Sequence, residues 1–392
     1  MTSARIHEGL EGVLVARTAL SSVEGERGRL TVRGHAIESL VSEVPFEAMV
    51  GLLLEGALPT ASRLRELQAE LGSARLRAHA RLAPLGPTVR SADVMRELAT
   101  GLSLLPREAT AVDALGMAAV ATAGWLRAER GEEHLPPQPE LPHAHDLLRL
   151  AHGASPTEGA VRLLDAYLVT VAEHGFNAST FAARVTASTG ADLASAVVSG
   201  VVTLSGPLHG GAPGPVLDML DAVSSPERAA DYVRAELAAG RRIMGMGHRV
   251  YRVRDPRAFV LERALSAYGS GEGASLRLAL ARAVEHAAES ELARKYPGRA
   301  LRANVEFYTA LLLEALAVPR AAFTAIFACA RVAGYAAHYA EQRREGRLIR
   351  PSALYVGPEA KAPASGPSCS TVGETATSDL VEFTAALPRP VG

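Results

Sequence analysis

Three short segments set ionisable side chains inside otherwise apolar or glycine-rich sequence. The first, Ser205-Gly206-Pro207-Leu208-His209-Gly210-Gly211, wedges a histidine between a Gly-Pro turn and two glycines, just after an apolar run. Glycines there let a ligand approach the backbone and fix the imidazole at a helix end; taken singly, a histidine in a tight turn explains the segment equally well. The second is Met244-Gly245-Met246-Gly247-His248-Arg249-Val250-Tyr251, followed by Asp255-Pro256-Arg257. With Arg252, Arg254 and Arg263 it gathers arginines around one histidine. Guanidinium forks suit carboxylates and phosphates, although most charge runs are solvated loops. The Gly245-x-Gly247 pair is no dinucleotide fingerprint, because Val250 stands where the third glycine belongs and no strand precedes it. In the third segment, Ala303-Asn304-Val305-Glu306-Phe307-Tyr308, a carboxylate opens an apolar helix. It complements the helix dipole, or, half-buried between Val305 and Phe307, acquires a raised pKa suited to proton abstraction.

Each segment alone has an ordinary structural explanation. Together, two histidines, a carboxylate and arginines are the parts needed to remove a proton beside a thioester carbonyl and to hold an oxo diacid. Walker A, H-E-x-x-H, paired C-x-x-C and nucleophile-elbow patterns are absent from the sequence.

The elements that must position these groups read as helices. Gly9, Gly12, Gly25, Gly28 and Gly34 punctuate short Val/Leu/Thr segments near the start, which predicts hairpins. Beyond them Ala, Leu and Arg recur at helical spacing, predicting helices over 109–130, 192–204, 226–239, 276–296, 305–316 and 320–344. Asp255 before Pro256, and Ser225 before Pro226, each read as an N-cap followed by a first-turn proline. Without strand–helix alternation, a parallel α/β sheet is disfavoured. Residues 132–142, with four prolines, and the Gly-rich 269–274 read as connectors, and the Ala/Pro/Ser/Thr/Gly-rich stretch from about Gly357 as a mobile tail.

With 392 residues the chain can bury a large core, and 41 basic against 42 acidic side chains give a formal charge of −1. That balance supplies no sequence-wide field for nucleic acid or an anionic membrane. Cys329, in an apolar run, and Cys369, in the tail, form neither metal-ligand spacing nor a disulfide framework, so no metal is expected. The cysteine usage and the polar start of the chain fit a cytoplasmic protein without signal peptide or membrane span.

In order and spacing, the three segments resemble the catalytic motifs of the citrate synthase family: Gly-Pro-Leu-His-Gly-Gly, Gly-His-Arg-Val-Tyr with Asp-Pro-Arg, and Asn-Val-Asp-Phe-Tyr. Ser22-Val23-Glu24-Gly25-Glu26 with Arg33-Gly34, Glu173-His174 with Asn177-Ala178-Ser179-Thr180-Phe181, Arg331 and Arg350-Pro351 extend the likeness over about residues 9 to 356. It implies a mainly α, two-domain helical fold with a small N-terminal β-hairpin region. The large domain would comprise 1–211 and 316–356, the small lid-like domain 212–315, and the tail 357–392. It implies a homodimer, and the missing extra N-terminal domain of larger relatives favours a dimer over a hexamer. The substrates would be oxaloacetate and acetyl-CoA, the coenzyme A thioester serving as co-substrate with no permanently bound cofactor.

Carried over by residue, His209 would stabilise the enol or enolate, Glu306 would be the base, and His248 would polarise the oxo carbonyl and protonate the alkoxide. His174, Arg257 and Arg331 would seat the oxo acid, Phe327 would line the pocket, and Arg350 would reach in from the partner protomer. The backbone of Met244, Gly245 and Gly247 would lie along the CoA adenine. Three departures stand out: Glu306 replaces an aspartate, Pro213-Gly214 replaces Asn-Glu, and Val171 and Glu173 replace a histidine and an aspartate. A wider or drier pocket would suit propionyl-CoA and make 2-methylcitrate; a silent paralogue that binds CoA or a dicarboxylate is the other alternative.

Overall fold

The computed structural model describes residues 6–10, 12–210, 213–248, 250–269 and 271–358. Strands β1 (Ser21–Glu24), β2 (Arg29–Val32) and β3 (His35–Ala36) form an antiparallel meander, with Ser21 opposite Val32 and Thr31 opposite Ala36. This is the expected hairpin region. Fifteen α-helices follow among the described residues. The first nine are α1 (Ile37–Glu43), α2 (Phe46–Glu55), α3 (Ala61–Leu82), α4 (Val94–Ser103), α5 (Ala111–Ala128), α6 (His143–His152), α7 (Glu158–Ala172), α8 (Ala178–Ser188) and α9 (Leu193–Leu204). The rest are α10 (Pro213–Val223), α11 (Ala229–Ala238), α12 (Pro256–Tyr268), α13 (Gly271–Lys295), α14 (Val305–Ala315) and α15 (Phe323–Glu345). The mainly helical class is as expected.

Residues Gly12–Arg350 form one compact unit; in the other unit, drawn from the two chain ends, the described residues hold one 3-10 turn, Glu8–Leu10. Two helices run through the core. In α5 every residue from Ala114 to Leu126 is buried, and α15 is buried nearly all round from Ala325 to His338. A helix that is apolar on every face belongs inside, and the alanine-rich stretches let neighbours approach closely. Gly334 of α15 shows how closely: a Cβ there would lie 2.4 Å from the carbonyl oxygen of Ala172 at the end of α7. That approach sets Arg331, one turn earlier, beside the end of α7.

Two expectations need correction. The connector at 269–274 shrinks to Gly269 and its neighbour, because α13 already begins at Gly271; the strong helix-forming run behind it propagates backwards at little cost once nucleated. Ser225 opens a 3-10 turn, Pro226–Arg228, without accepting a side-chain capping bond, whereas Asp255 accepts from Arg257 N ahead of Pro256 as expected. Most of the proposed tail, residues 359–392, lies outside the described residues, as do Arg249 and Gly211.

Candidate active site

The end of α7, the start of α12 and the middle of α15 meet around one imidazole. Arg257 Nη1 and Arg331 Nη2 each donate to His174 Nδ1 at 2.6 Å. Each arginine is held by its own partner. Arg257, at 3% exposure, straddles Asp255 through Nε at 3.0 Å and Nη2 at 2.6 Å. Fully buried Arg331 donates from Nε and Nη2 to the Val171 carbonyl at 2.9 and 2.6 Å, while its Nη1 meets no acceptor among the described residues. Burial first, then the two guanidiniums, hold His174 neutral, well below the usual histidine range. Asn177 Nδ2 stands 3.0 Å from the other ring nitrogen, so His174 faces donors on both sides. A neutral imidazole offers one acceptor; this surplus of donors is what an anionic ligand would satisfy.

Behind it, fully buried Glu173 accepts from Ser21 Oγ at 2.8 Å, Gly175 N at 2.7 Å and His338 Nε2 at 3.2 Å. Burial opposes its ionisation, but His338, Arg331 and these hydrogen bonds outweigh that and hold the carboxyl down to about 2.

His248 and Glu306 sit on segments that are tied together. Met246 pairs with Ala303 in an antiparallel bridge, Gly247 N donates to Arg302 O at 2.7 Å, and Asn304 N donates to Gly245 O at 2.9 Å. Asn304 then works twice: its amide nitrogen donates to Gly247 O at 2.9 Å and its oxygen accepts from Glu306 N at 3.0 Å, capping α14. Gly245 has φ 72°, and a Cβ there would press on Phe307 at 2.8 Å, so this turn requires glycine. The N-terminal hairpin supports the same loop through Arg252 N to Gly25 O at 3.0 Å.

The loop also orients His248. Its Nδ1 accepts from Val250 N at 3.0 Å and Tyr251 N at 3.1 Å, while Arg257 Nη2, which can only donate, faces Nε2 at 3.3 Å. Burial, reinforced by Arg257, lowers its pKa to about 4, so at neutral pH it is a neutral N–H donor. Glu306 is shifted the other way. Burial raises it to about 7, more than Arg257 and Arg331 lower it, which is where a general base is best matched to its task.

His209 closes the set, its Nε2 2.8 Å from Ser179 Oγ on the first turn of α8. Ser179 in turn donates to Asn177 Oδ1 at 2.8 Å, and that oxygen also caps α8 through Thr180 N at 2.9 Å. Phe327 lies with its ring centroid 5.8 Å from that of His174 and carries the Arg331 guanidinium over its face at 4.9 Å.

Other sequence candidates lie elsewhere. The arginine cluster does not act as one anion pocket. Arg254 is consumed by Glu262 and Glu285 at 2.7 and 2.8 Å, Arg252 is exposed beside Glu26, and Arg263 stacks on Phe259. Among the described arginines of the cluster only Arg257 turns inward, because Asp255 and Pro256 start α12 there. Exposed Arg350 follows α15, and among the described residues no hydrogen bond or ion pair joins it to the cluster. Met244 packs against the core at the base of the glycine turn. Sequence reasoning missed Ser179, Asn177 and Asn304 as positioning groups; their signal was present as polar residues at helix N-caps and first turns.

An ionisable base at about 7, three histidines and two arginines gathered together can bind a dicarboxylate and take a proton from carbon beside a carbonyl. Comparison with known proteins gives the same class. Residues 9–352 match the family model "Citrate synthase, C-terminal domain". Citrate synthase of Haloferax volcanii is 36% identical over 91% of this chain and 97% of its own length. Among solved structures, citrate synthase from Thermotoga maritima superposes with a TM-score of 0.81 at 34% identity, covering 91% of this chain and 98% of that one. Thermoplasma acidophilum citrate synthase, solved as a ternary complex with carboxymethyl coenzyme A and oxaloacetate, gives 0.81 at 25% identity over 92% and 98%. The chain belongs to the citrate synthase family. It is therefore an enzyme of the transferase type, and its reaction is the condensation of an acyl-CoA with oxaloacetate.

Proposed function

We propose that the cleft built around His174 performs this condensation with the following division of labour. Arg257, Arg331 and His174 hold the oxaloacetate carboxylates, whose negative charge answers the surplus of donors there. Glu306 removes a proton from the acyl carbon. His209 hydrogen-bonds the thioester oxygen as charge builds on it, and the contact between its Nε2 and Ser179 Oγ fixes the orientation of the ring. The new carbon nucleophile attacks the oxo carbonyl, and the alkoxide takes its proton from His248 Nε2. Water then cleaves the thioester and releases CoA. One observation carries this reading: His248 and Glu306 are shifted in opposite directions, so at neutral pH a neutral donor and an ionisable base coexist in one cleft.

The helices within 212–315 make the lid, and closure over oxaloacetate excludes water until the carbon bond has formed. The protein works as a cytoplasmic homodimer in the tricarboxylic acid cycle, with Arg350 of each protomer completing the neighbour's site and the Met244–Gly247 backbone lying against CoA. Propionyl-CoA is the second reading, favoured by buried, apolar Val171 beside the carboxylate site. CoA release from acetyl-CoA and from propionyl-CoA, each with oxaloacetate, tests both. Turnover with acetyl-CoA at the higher kcat/KM is expected; a higher value with propionyl-CoA makes the protein a 2-methylcitrate synthase, and no release with either overturns the catalytic reading.

A further inference from the structure

Helices α7 and α12 run antiparallel and are pinned at both ends. At one end Arg257 donates to His174 at 2.6 Å. At the other the Tyr268 ring covers Gly159, where a Cβ would lie 3.3 Å from it. Beside this helix pair, with α1 as a third wall, lies a cleft of about 250 Å³. Buried Leu163 and Val260 line it, and Ala166 and Ala264 keep it open.

The mouth carries charge. Glu38 contributes one carboxylate, and Arg162 and Arg263 two guanidiniums. Arg162 meets Glu158 at 3.1 Å on the solvent side, whereas Arg263 forms no ion pair among the described residues and stacks on the exposed Phe259 ring at 5.7 Å. An apolar slot beside the Arg263 guanidinium fits an apolar chain with an anionic head. A cavity of about 150 Å³ accommodates benzene, so this one takes about ten non-hydrogen atoms.

We propose that the cleft between α1, α7 and α12 is a regulatory site for a medium-chain aliphatic carboxylate of octanoate size. Such a ligand touches both helices, so it binds best when they are held together as they are here, with Arg257 against His174. It shifts the molecule toward that arrangement and tightens oxaloacetate binding. By linkage, oxaloacetate tightens octanoate binding by the same factor. The coupling rests on the proposed role of His174 and Arg257; the binding site does not.

The test is titration calorimetry of octanoate into the full-length protein, with and without oxaloacetate, and with the variants R263E and A264W. One octanoate per chain is expected, bound about fivefold more tightly when oxaloacetate is present. R263E, at an exposed position, and A264W, which fills the slot, should each weaken it about tenfold or more. R263E carries the test alone if A264W misfolds. Absence of octanoate binding, equal binding to R263E, or displacement of octanoate by acetyl-CoA overturns the proposal. Octanoate binding that R263E abolishes, in a protein that fails to bind oxaloacetate, keeps the site and removes the active-site reading instead.

Discussion

Arg257 donates to His174 Nδ1 at 2.6 Å across 83 positions of sequence, joining the first turn of α12 to the end of α7. Asp255 aims the guanidinium, and the imidazole marks where it points. Replacing Arg257 or Arg331 with lysine keeps the charge but loses the fork. Each single variant should raise KM for oxaloacetate by about tenfold or more, with a smaller effect on KM for acetyl-CoA. Steady-state kinetics in both substrates checks this; equal changes in the two KM values count against it.

Glu306 must be ionised to act as a base. With a pKa of about 7, kcat/KM should fall as pH drops through 7, and neutral His248, titrating near 4, should add nothing until far lower. Glu306→Gln should abolish turnover. Glu306→Asp restores the shorter family carboxylate and tests whether this site has adapted to the longer one; a misplacement of about 1 Å costs roughly 10²-fold. A pH–rate profile without an acid limb near 7 would remove Glu306 from the mechanism.

The same carboxyl should leave a thermodynamic trace. Its folded pKa lies above the unfolded value, so the stability it contributes is full below about 4.5 and is lost as pH rises through 7. Glu306→Gln should therefore unfold at a higher temperature than the wild type at pH 8, by roughly 2–4 °C, with the gap closing toward pH 5. Calorimetric melts at the two pH values measure it.

Glu173 behaves oppositely. Its pKa is held at about 2, so its contribution is present above the unfolded carboxylate range and lost only as pH falls through 2. Glu173→Ala strands buried His338 and Arg331, and should cost about 3–5 kcal/mol in denaturant unfolding. Glu173→Gln keeps a hydrogen-bonding group and should cost less.

Asn304→Ala removes both the α14 cap and the bond to Gly247 O. Stability should fall by about 1 kcal/mol, while kcat falls far more than that loss alone implies. Asn304→Asp should rescue the cap but not the bond to the Gly247 carbonyl. Comparing melting temperature with kcat for the two variants separates these effects.

Much of this was legible in the sequence, for reasons that differ by residue. Helical periodicity and the Asp255-Pro256 start signal are local, so the class of the fold and the start of α12 could be read directly. The three chemistry-bearing segments stood out because ionisable groups are costly in apolar surroundings. Which of the arginines turns inward could not be read. That depends on Glu262 and Glu285 reaching Arg254 from other turns of the fold. Nor could the link between Ser179 and His209, or between Glu173 and His338, because each joins separate segments of the chain by side chains whose types are common at helix ends and surfaces.

The bridge from Met246 to Ala303 has a wider consequence. Donor and base ride on two strips of chain stitched edge to edge, so neither can drift without dragging the other. The heritable unit of this chemistry is thus a composite of about 244–257 and 302–307, and anyone grafting it into another scaffold must carry both strips with their seam intact.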